Sequence, residues 1–426
     1  MNITLLHNIL HHMQEQNRNM TQLAKESNIH ISELSRIFHH KQSLSLHNLD
    51  KITLALRLNE GALYPYYVEE CFNESRNLDK RKSEQFLYKC AVMGYREQLH
   101  FILDAVLEER SKTIRNKNFV RIFSVAEQLF VEGMEEQALS LYEFIIENMP
   151  DHFSQEVAIC YFRRFYIVRL TEEGQYALGH LLEHIAYMPE EFQILSYVWI
   201  TATFYLQQEW KKTFYYARKL EKMAKEGEHY GRALVYQSLA LPRLGGTLEE
   251  VLNLIKRYEK VSEYYADAAI GNRFCAFLDF GHFDYADKYL SWLEGRDDMF
   301  AGLPRVLEAY VHLHRLEDVE QLLDRFQEII KDWAANNHPH QKQMYLRFRY
   351  AYAMYYFACK RYSEGLDEVL DVAYAAKEIG ITERFKQCLL IYWEYRFFAT
   401  VEHAERYKKL LSIDEFNEIL PNKLTK

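Results

Sequence analysis

The sequence predicts an all-α protein, on the basis of its composition and of the spacing of its apolar residues. Glycine and proline are sparse, with 15 and 7 residues in a chain of 426, and no strand-like alternation of apolar and polar residues recurs. Apolar residues instead recur at helical spacing over segments of about 12 to 20 residues that short turns separate. A small domain followed by a longer array of stacked helix pairs is expected at this length.

Four short helices are predicted at the N-terminus. The first has apolar residues at helical spacing: Ile3, Leu6, Leu10 and Met13. Asn19 is a suitable N-cap for the second, and Asn28 suits the sharp corner that follows, because Asn tolerates the left-handed backbone conformation. A third helix begins near Ile31, and its predicted buried residues are Ile31, Leu34, Ile37 and Phe38. Ser45 then caps a fourth helix that returns to the same core.

The outward side of the third helix is short, polar and bears one arginine. The residues expected on that side and in the following loop are Ser32, Glu33, Ser35, Arg36, His39 and Lys41. A helix with one apolar buried side and such an outer side fits the major groove of DNA. We therefore predict that these six residues bind DNA. The alternative is a small helical cap on a larger helical protein.

The charge of this region is modest for a DNA-binding domain. Residues 1–65 carry six Lys or Arg and five Asp or Glu, a formal charge of +1, whereas the whole chain has −9. Seven of the 18 histidines also lie here and can donate hydrogen bonds to phosphates. Because one copy offers few phosphate contacts, we infer that affinity depends on pairing two such domains.

Gly61 and Pro65 mark the end of the first domain. We predict a DNA-binding domain at residues 1–65, a linker at 66–80, and a domain of helical repeats at 81–426. The segment from Phe119 to Pro150 matches a 34-residue tetratricopeptide unit. Its matching positions are Val125, Ala126, Leu129, Gly133, Ala138, Tyr142, Ile145 and Pro150. Weaker copies are predicted around Phe283, Ala286, Leu290 and Leu293, and around Tyr362, Gly365, Val369 and Val372.

Stacked repeats of this kind form a right-handed α-superhelix with a concave inner face. We predict that polar and aromatic residues on that face hold the backbone and terminal carboxylate of an extended peptide. The predicted peptide-binding residues are Arg163, Tyr166, Arg169, Asn272, Arg273, Arg347 and Tyr350. The alternative for each arginine is an ion pair with Glu on a neighbouring helix.

The segment from Cys388 to Ala399 is apolar nearly all round, so it must be covered on two sides. The helix Val401 to Leu411 can cover one side, and a second copy of the chain could cover the other. We therefore predict a homodimer formed through the C-terminal helices.

Several classes of protein are disfavoured. No apolar stretch is long enough for a membrane span, the N-terminus lacks a secretory signal, and six scattered cysteines suggest reduced thiols in the cytoplasm. No phosphate-binding loop, nucleophile elbow or dinucleotide fingerprint occurs. His180, Glu183 and His184 match a zinc-hydrolase pattern without an evident third ligand, and His7 and His11 are interpreted as surface groups. We predict no catalytic residues, no metal site, no cofactor and no membrane partner.

Residues 3–60 resemble the helix-turn-helix domain of the lambda-repressor-like (XRE) regulators. The resemblance is carried by Leu23-Ala24, Asn28-Ile29, Leu34-Ser35-Arg36-Ile37 and the helix from Leu49 to Leu58. Together with the tetratricopeptide pattern, nearly the whole chain resembles the RRNPP peptide-pheromone receptors of Gram-positive bacteria, in particular the NprR, PlcR and AimR types.

This resemblance implies a cytoplasmic transcription regulator that binds double-stranded DNA and is switched by a short signalling peptide, as in quorum sensing. It also leaves an alternative function. Rap-type members of the family lack DNA binding and act on response-regulator proteins, so a protein-interaction scaffold or a Rap-like regulator is the second hypothesis.

Overall fold

The computed structural model of the chain describes residues 3–73, 77–336 and 338–412, without the side chain of Ile3. The predicted all-α class is confirmed: the described residues form 24 α-helices and five short 3₁₀ helices. An isolated bridge between Phe72 and Leu78 is the one β-type pairing among them. The helices divide into two compact units, Met1–Gln193 (unit 1) and Ile194–Lys426 (unit 2).

The helices that begin in unit 1 are α1 Ile3–Glu15, α2 Met20–Ser27, α3 Ile31–Phe38, α4 Leu46–Ala55, α5 Tyr64–Tyr67, α6 Lys80–Met93, α7 Arg96–Glu108, α8 Lys112–Val131, α9 Glu135–Asn148, α10 Gln155–Val168, α11 Gly174–His184 and α12 Glu190–Leu206. The 3₁₀ helices Val68–Cys71 and Ile185–Tyr187 lie between them.

Local capping explains where the N-terminal helices begin and end. Asn19 caps α2 in a reciprocal capping box with Gln22, and Ser45 accepts a hydrogen bond from a backbone N–H of α4. Asn28 ends α2 in the left-handed conformation, with φ 51° and ψ 39°. The three predictions made for these residues are confirmed.

Two predicted core positions among these helices are wrong. Ile31 is 42 % exposed; it is the first residue of α3, and helical side chains lean towards the N-terminus, so the rest of the helix does not cover it. Leu10 is 40 % exposed, because α1 packs through a side centred one residue earlier. The buried residues of α1 are Leu5, Leu6, Ile9 and Met13.

One hydrophobic core extends from Leu5 to Cys160 in unit 1. Residues 66–80, predicted as a linker, contribute four buried side chains to it: Tyr67, Val68, Cys71 and Leu78. Tyr67 packs on the Phe86 ring of α6, with 5.4 Å between ring centres, and donates a hydrogen bond to the carbonyl oxygen of Leu44, which lies just before α4. The segment is therefore packed against helices that precede and follow it in the sequence.

The helices α8 and α9, in the segment for which a repeat unit is predicted, pack against each other. Gly133 lies in the turn between them with φ +81°, a backbone conformation that favours glycine. The six apolar positions predicted for the packed side of the pair are all buried: Val125, Ala126, Leu129, Ala138, Tyr142 and Ile145.

The helices that lie wholly in unit 2 are α13 Trp210–Ala224, α14 Gly227–Ala240, α15 Leu248–Tyr258, α16 Glu263–Asp279, α17 Ala286–Leu293, α18 Met299–His312, α19 Leu316–Arg325, α20 Gln327–Ala335, α21 Pro339–Ala358, α22 Tyr362–Glu378, α23 Thr382–Tyr395 and α24 Val401–Leu411. The 3₁₀ helices there are Leu241–Leu244, Phe283–Tyr285 and Arg396–Phe398.

Most consecutive helices in unit 2 pack against each other, and α18 also packs on α21 and α22 on α24. In the pair α21 and α22, the helices approach closely at Gly365, where an added Cβ would stand 2.8 Å from the Phe357 ring. The glycine at this repeat position thus permits the close contact that the sequence pattern predicts.

None of the helices in the described parts of the chain combines the length and apolar character needed to cross a membrane. All six cysteines are unpaired, and five of them are buried.

Candidate functional site

The first candidate site is the outer side of α3. Its apolar side is fixed in the core by Leu34 and Ile37, which are fully buried. At its start, the His30 ring accepts a hydrogen bond from the backbone N–H of Ser32, and the His30 Nδ1 lies 2.7 Å from the Ser32 hydroxyl. The turn at Asn28 and this cap together define the direction in which α3 leaves α2.

Four of the six predicted DNA-binding residues are exposed: Ser32, Arg36, His39 and Lys41. Within the described residues, Arg36 and Lys41 make no salt bridge, so their charges are available to a ligand. The His39 Nδ1 lies 2.7 Å from the Ser35 carbonyl oxygen, which must be the acceptor. This bond fixes the ring at the end of α3.

Glu33 and Ser35 are half-buried. Glu33 accepts hydrogen bonds from the Gln42 side chain at 3.2 Å and from the Asn48 side chain at 2.9 Å. It therefore joins α3 to the following loop and to α4. This arrangement favours a positioning role for Glu33 over contact with a negatively charged ligand.

Arg18 is a positioning residue that the sequence analysis missed. Its guanidinium contacts the Glu26 carboxylate at 2.6 Å and also the carbonyl oxygen of Ala55. With 11 % of the side chain exposed, it ties α2 to the end of α4. The contact joins residues 37 positions apart, so no local pattern in the sequence reveals it.

The predicted peptide-binding residues of unit 1 form an intramolecular stack. Arg163 makes a two-point hydrogen bond to Glu127 at 2.9 and 2.7 Å and lies 4.0 Å over the Phe130 ring. Arg169 lies 4.2 Å over the Tyr166 ring, and burial lowers its pKa. For Arg163 the geometry matches the alternative of an ion pair with a neighbouring helix.

The predicted residues of unit 2 separate into two places. Asn272 donates to the Tyr258 hydroxyl at 2.8 Å, and Arg273 pairs with Glu259, so both are directed towards α15. Arg347 and Tyr350, on α21, lie instead in a dense group of charged side chains. We call this group the arginine cluster: Arg243, Arg305, Arg347 and Arg384 with Asp279 and Glu308.

Asp279 is at the centre of the arginine cluster. Arg305 donates to both of its carboxylate oxygens at 3.1 Å, and Arg347 donates to one of them at 3.0 Å. Arg347 also holds Glu308 through two hydrogen bonds of 2.9 and 2.5 Å. The two carboxylates are thus bridged by a single guanidinium.

The other two arginines are less engaged. The Arg243 Nη2 is 4.0 Å from Asp279, and Arg384 lies 4.2 Å over the Tyr350 ring without a carboxylate in salt-bridge range among the described residues. Four guanidinium groups therefore face two carboxylates, a formal excess of two positive charges. Such an excess favours a ligand that carries a carboxylate or another anionic group.

The surroundings of the cluster affect these charges. Burial opposes ionisation of Asp279, but Arg305 and Arg347 outweigh it and hold the carboxyl pKa well below its usual value. Burial lowers the pKa of Arg243, although 45 % of that side chain is exposed to water. Arg243 is therefore the member of the cluster that water reaches most easily.

Several helices of unit 2 supply the cluster. Asp279 ends α16, Arg305 and Glu308 lie on α18, Arg347 on α21 and Arg384 on α23. Arg243 lies in the 3₁₀ helix that directly follows α14. Residues that are far apart in the sequence thus meet in one charged group.

Aromatic side chains border this surface. The Tyr205 ring packs 5.4 Å from Tyr236 and 5.9 Å from His340, measured between ring centres. Burial lowers the pKa of His340 to about 4, so this imidazole is neutral at pH 7 and adds no charge. The border supplies apolar contact area beside the cationic groups.

The zinc-hydrolase pattern has a different explanation in the structure. The His184 Nδ1 lies 2.8 Å from the carbonyl oxygen of His180, to which it must donate, and its ring packs 4.1 Å from Tyr161. The His180 Nδ1 and the Glu183 Oε2 are 3.9 Å apart. His184 thus belongs to a group of packed aromatic side chains.

A large apolar surface lies at the end of the described chain. Cys388 and Tyr392, on the inner side of α23, are buried in the core. The Tyr392 ring also stacks on that of Tyr407 in α24, with 4.0 Å between the ring centres. Six large apolar side chains remain exposed: Leu390, Trp393, Phe397, Phe398, Val401 and Leu411. We call these six residues the C-terminal apolar surface.

No protein-family model matches the chain, and comparison with curated proteins finds no relative of it.

Proposed function

We propose that this chain is a cytoplasmic transcription regulator of the RRNPP type, which binds double-stranded DNA through α3. The observation that carries the proposal is the outer side of α3, where Arg36 and Lys41 are exposed and unpaired among the described residues. The helix is short, follows a tight left-handed turn and is fixed by a buried apolar side. These are the requirements for a recognition helix that enters the major groove.

The proposal assigns different roles to the exposed residues. Arg36 has the donors to read a guanine edge or to bind phosphate, and Ser32 can contribute a hydrogen bond. Lys41, in the loop after α3, is suited to a phosphate contact. Glu33 joins α3 to α4, and Arg18 joins the preceding helix α2 to the end of α4.

We further propose that residues 81–426 form a tetratricopeptide-type superhelix that binds a short signalling peptide. The arginine cluster supports this, because it gathers four guanidinium groups around two carboxylates, and Arg243 and Arg384 are the less engaged of the four. In this proposal, Arg243 and Arg384 bind the terminal carboxylate of the peptide, while Tyr205 and Tyr236 contact its apolar side chains.

A homodimer completes the proposal. The C-terminal apolar surface would be covered by the same surface of a second copy, which is the pairing expected of a two-fold dimer. Two recognition helices could then engage half-sites about 34 Å apart, one turn of DNA. Because a full switch between two forms needs about 5.5 kcal/mol of differential affinity, the peptide must contact several helix pairs.

Replacing Arg36 by Ala tests the role of α3. We expect DNA affinity to fall by about 1–3 kcal/mol, roughly 5- to 150-fold, because a charged contact to DNA is lost. The measurement is a mobility-shift titration at fixed salt, with circular dichroism to verify the fold. Lys211→Ala is the matched control, since it removes one exposed positive charge from α13. If Arg36→Ala and the unmodified chain bind DNA with equal affinity, α3 is not part of the DNA-binding surface.

A failure of the unmodified chain to bind any DNA would favour the second hypothesis. The N-terminal helices would then contact another protein, as in a scaffold or a Rap-like regulator.

A further inference from the structure

A cluster of potential metal ligands lies on α1, apart from both candidate sites. One ring nitrogen of His11, one ring nitrogen of His12 and a Glu15 carboxylate oxygen all lie within 4.8 Å of one another. Glu15 is four residues after His11 and three after His12, so its side chain reaches back between the two rings on the helix surface. The opposite side of α1 is buried in the core, which fixes the backbone that carries all three groups.

The two distances to Glu15 fit a tetrahedral ion. The Glu15 Oε2 is 3.5 Å from the His11 Nδ1 and 3.1 Å from the His12 Nδ1. Zinc bonds to nitrogen and oxygen are about 2.0–2.1 Å, which places adjacent ligands of a tetrahedron roughly 3.3–3.4 Å apart. Both distances are therefore within a few tenths of an ångström of those in a zinc site.

The chemistry of the ligands also fits. Two imidazoles and one carboxylate form a set that zinc uses in proteins, with the fourth position left to water. A hydrogen bond between His12 and Glu15 accounts for one of the contacts, but two imidazole nitrogens converge on the same carboxylate oxygen. His7 lies one turn before His11 and could supply the fourth ligand instead of water.

We propose that His11, His12 and Glu15 bind one first-row divalent transition-metal ion, of which Zn²⁺ fits best. His11, which the sequence predicts to be a surface group, is exposed, and its Nδ1 also lies 3.5 Å from the Glu15 carboxylate. Bound metal would join the last two turns of α1. This site is independent of the proposed DNA and peptide binding, and its test involves neither.

The experiment is calorimetric titration of the untagged full-length chain with ZnCl₂ in a buffer that does not chelate zinc. We expect one saturable site per chain that is lost or weakened at least about 10- to 100-fold in His11→Ala and in Glu15→Ala, since even the loss of an outer-shell group has that effect. Zinc should also raise the thermal midpoint of the unmodified chain more than that of either variant.

Two features make the result decisive. The side chains of His11 and Glu15 are 59 % and 55 % exposed, so their removal leaves the core intact, as circular dichroism can verify. His47→Ala is the matched control, because it removes another exposed histidine of the N-terminal helices, and it should bind zinc like the unmodified chain. The absence of saturable binding, or equal binding by all four proteins, would overturn the proposal.

Discussion

Replacing Arg347 by Met will lower the free energy of unfolding of unit 2 by about 3–5 kcal/mol, the cost of breaking a buried ion pair by removing one partner. Arg347 bridges Glu308 and Asp279, and its side chain is 12 % exposed. Met has a similar length but no charge, so Glu308 would lose its guanidinium partner in a site where protein, and not water, surrounds most of it. Asp279 would keep Arg305.

The measurement is urea denaturation followed by tryptophan fluorescence. All five tryptophans lie in unit 2, at positions 199, 210, 292, 333 and 393, so the signal reports the unit that contains the cluster. A loss below about 1 kcal/mol would show that water solvates these carboxylates well enough to replace the guanidinium. The ion pairs of the cluster would then contribute little to the stability of unit 2.

Arg243→Ala is the matched variant within the same cluster. Because Arg243 is 45 % exposed and 4.0 Å from Asp279, its loss should change stability by less than about 1 kcal/mol, as for exposed ion pairs. In the proposed function, it should instead weaken the binding of short peptides with a free C-terminal carboxylate, relative to amidated ones. Equal binding of both peptide forms by both proteins would contradict the assignment of the carboxylate site.

Replacing Phe397 by Glu will convert a dimer into a monomer. Phe397 is 81 % exposed and is the most exposed of the six residues of the C-terminal apolar surface, and a carboxylate there would meet the apolar surface of the second copy without a partner. Because two linked domains gain from effective concentration, DNA affinity should fall by about 10²- to 10⁴-fold.

The dimer prediction is checked by sedimentation and by mobility shift on the same samples. Val131→Glu is the control, since Val131 is 79 % exposed and lies on α8 in unit 1. The control should keep the mass of two chains. A single-chain mass for the unmodified protein at micromolar concentration would contradict the dimer.

Local features of the fold could be predicted from the sequence. Asn19, Asn28 and Ser45 act on backbone groups within four residues of themselves, so their roles follow from residue type and position. The buried side of the pair α8 and α9 was also predictable, because apolar spacing over thirty residues leaves one consistent packed face. Ile31 was mispredicted because its exposure depends on what lies beyond the end of α3, which spacing does not encode.

The arginine cluster could be predicted only in part. Arg347 and Tyr350 were identified, but Arg243, Asp279, Arg305, Glu308 and Arg384 were not. Arg347 and Asp279 are 68 positions apart, and their contact depends on the packing of intervening helices. Local spacing in the sequence does not show which of these charged residues meet.

The most direct test of DNA recognition by this chain is selection of bound duplexes from a random-sequence pool by the purified full-length protein. If α3 is a recognition helix in a symmetric dimer, repeated selection will enrich an inverted repeat whose half-sites are about 34 Å apart or a multiple of that distance. The same pool passed over Arg36→Ala should yield a weaker or altered half-site. A final pool without any enriched sequence would contradict the proposed function.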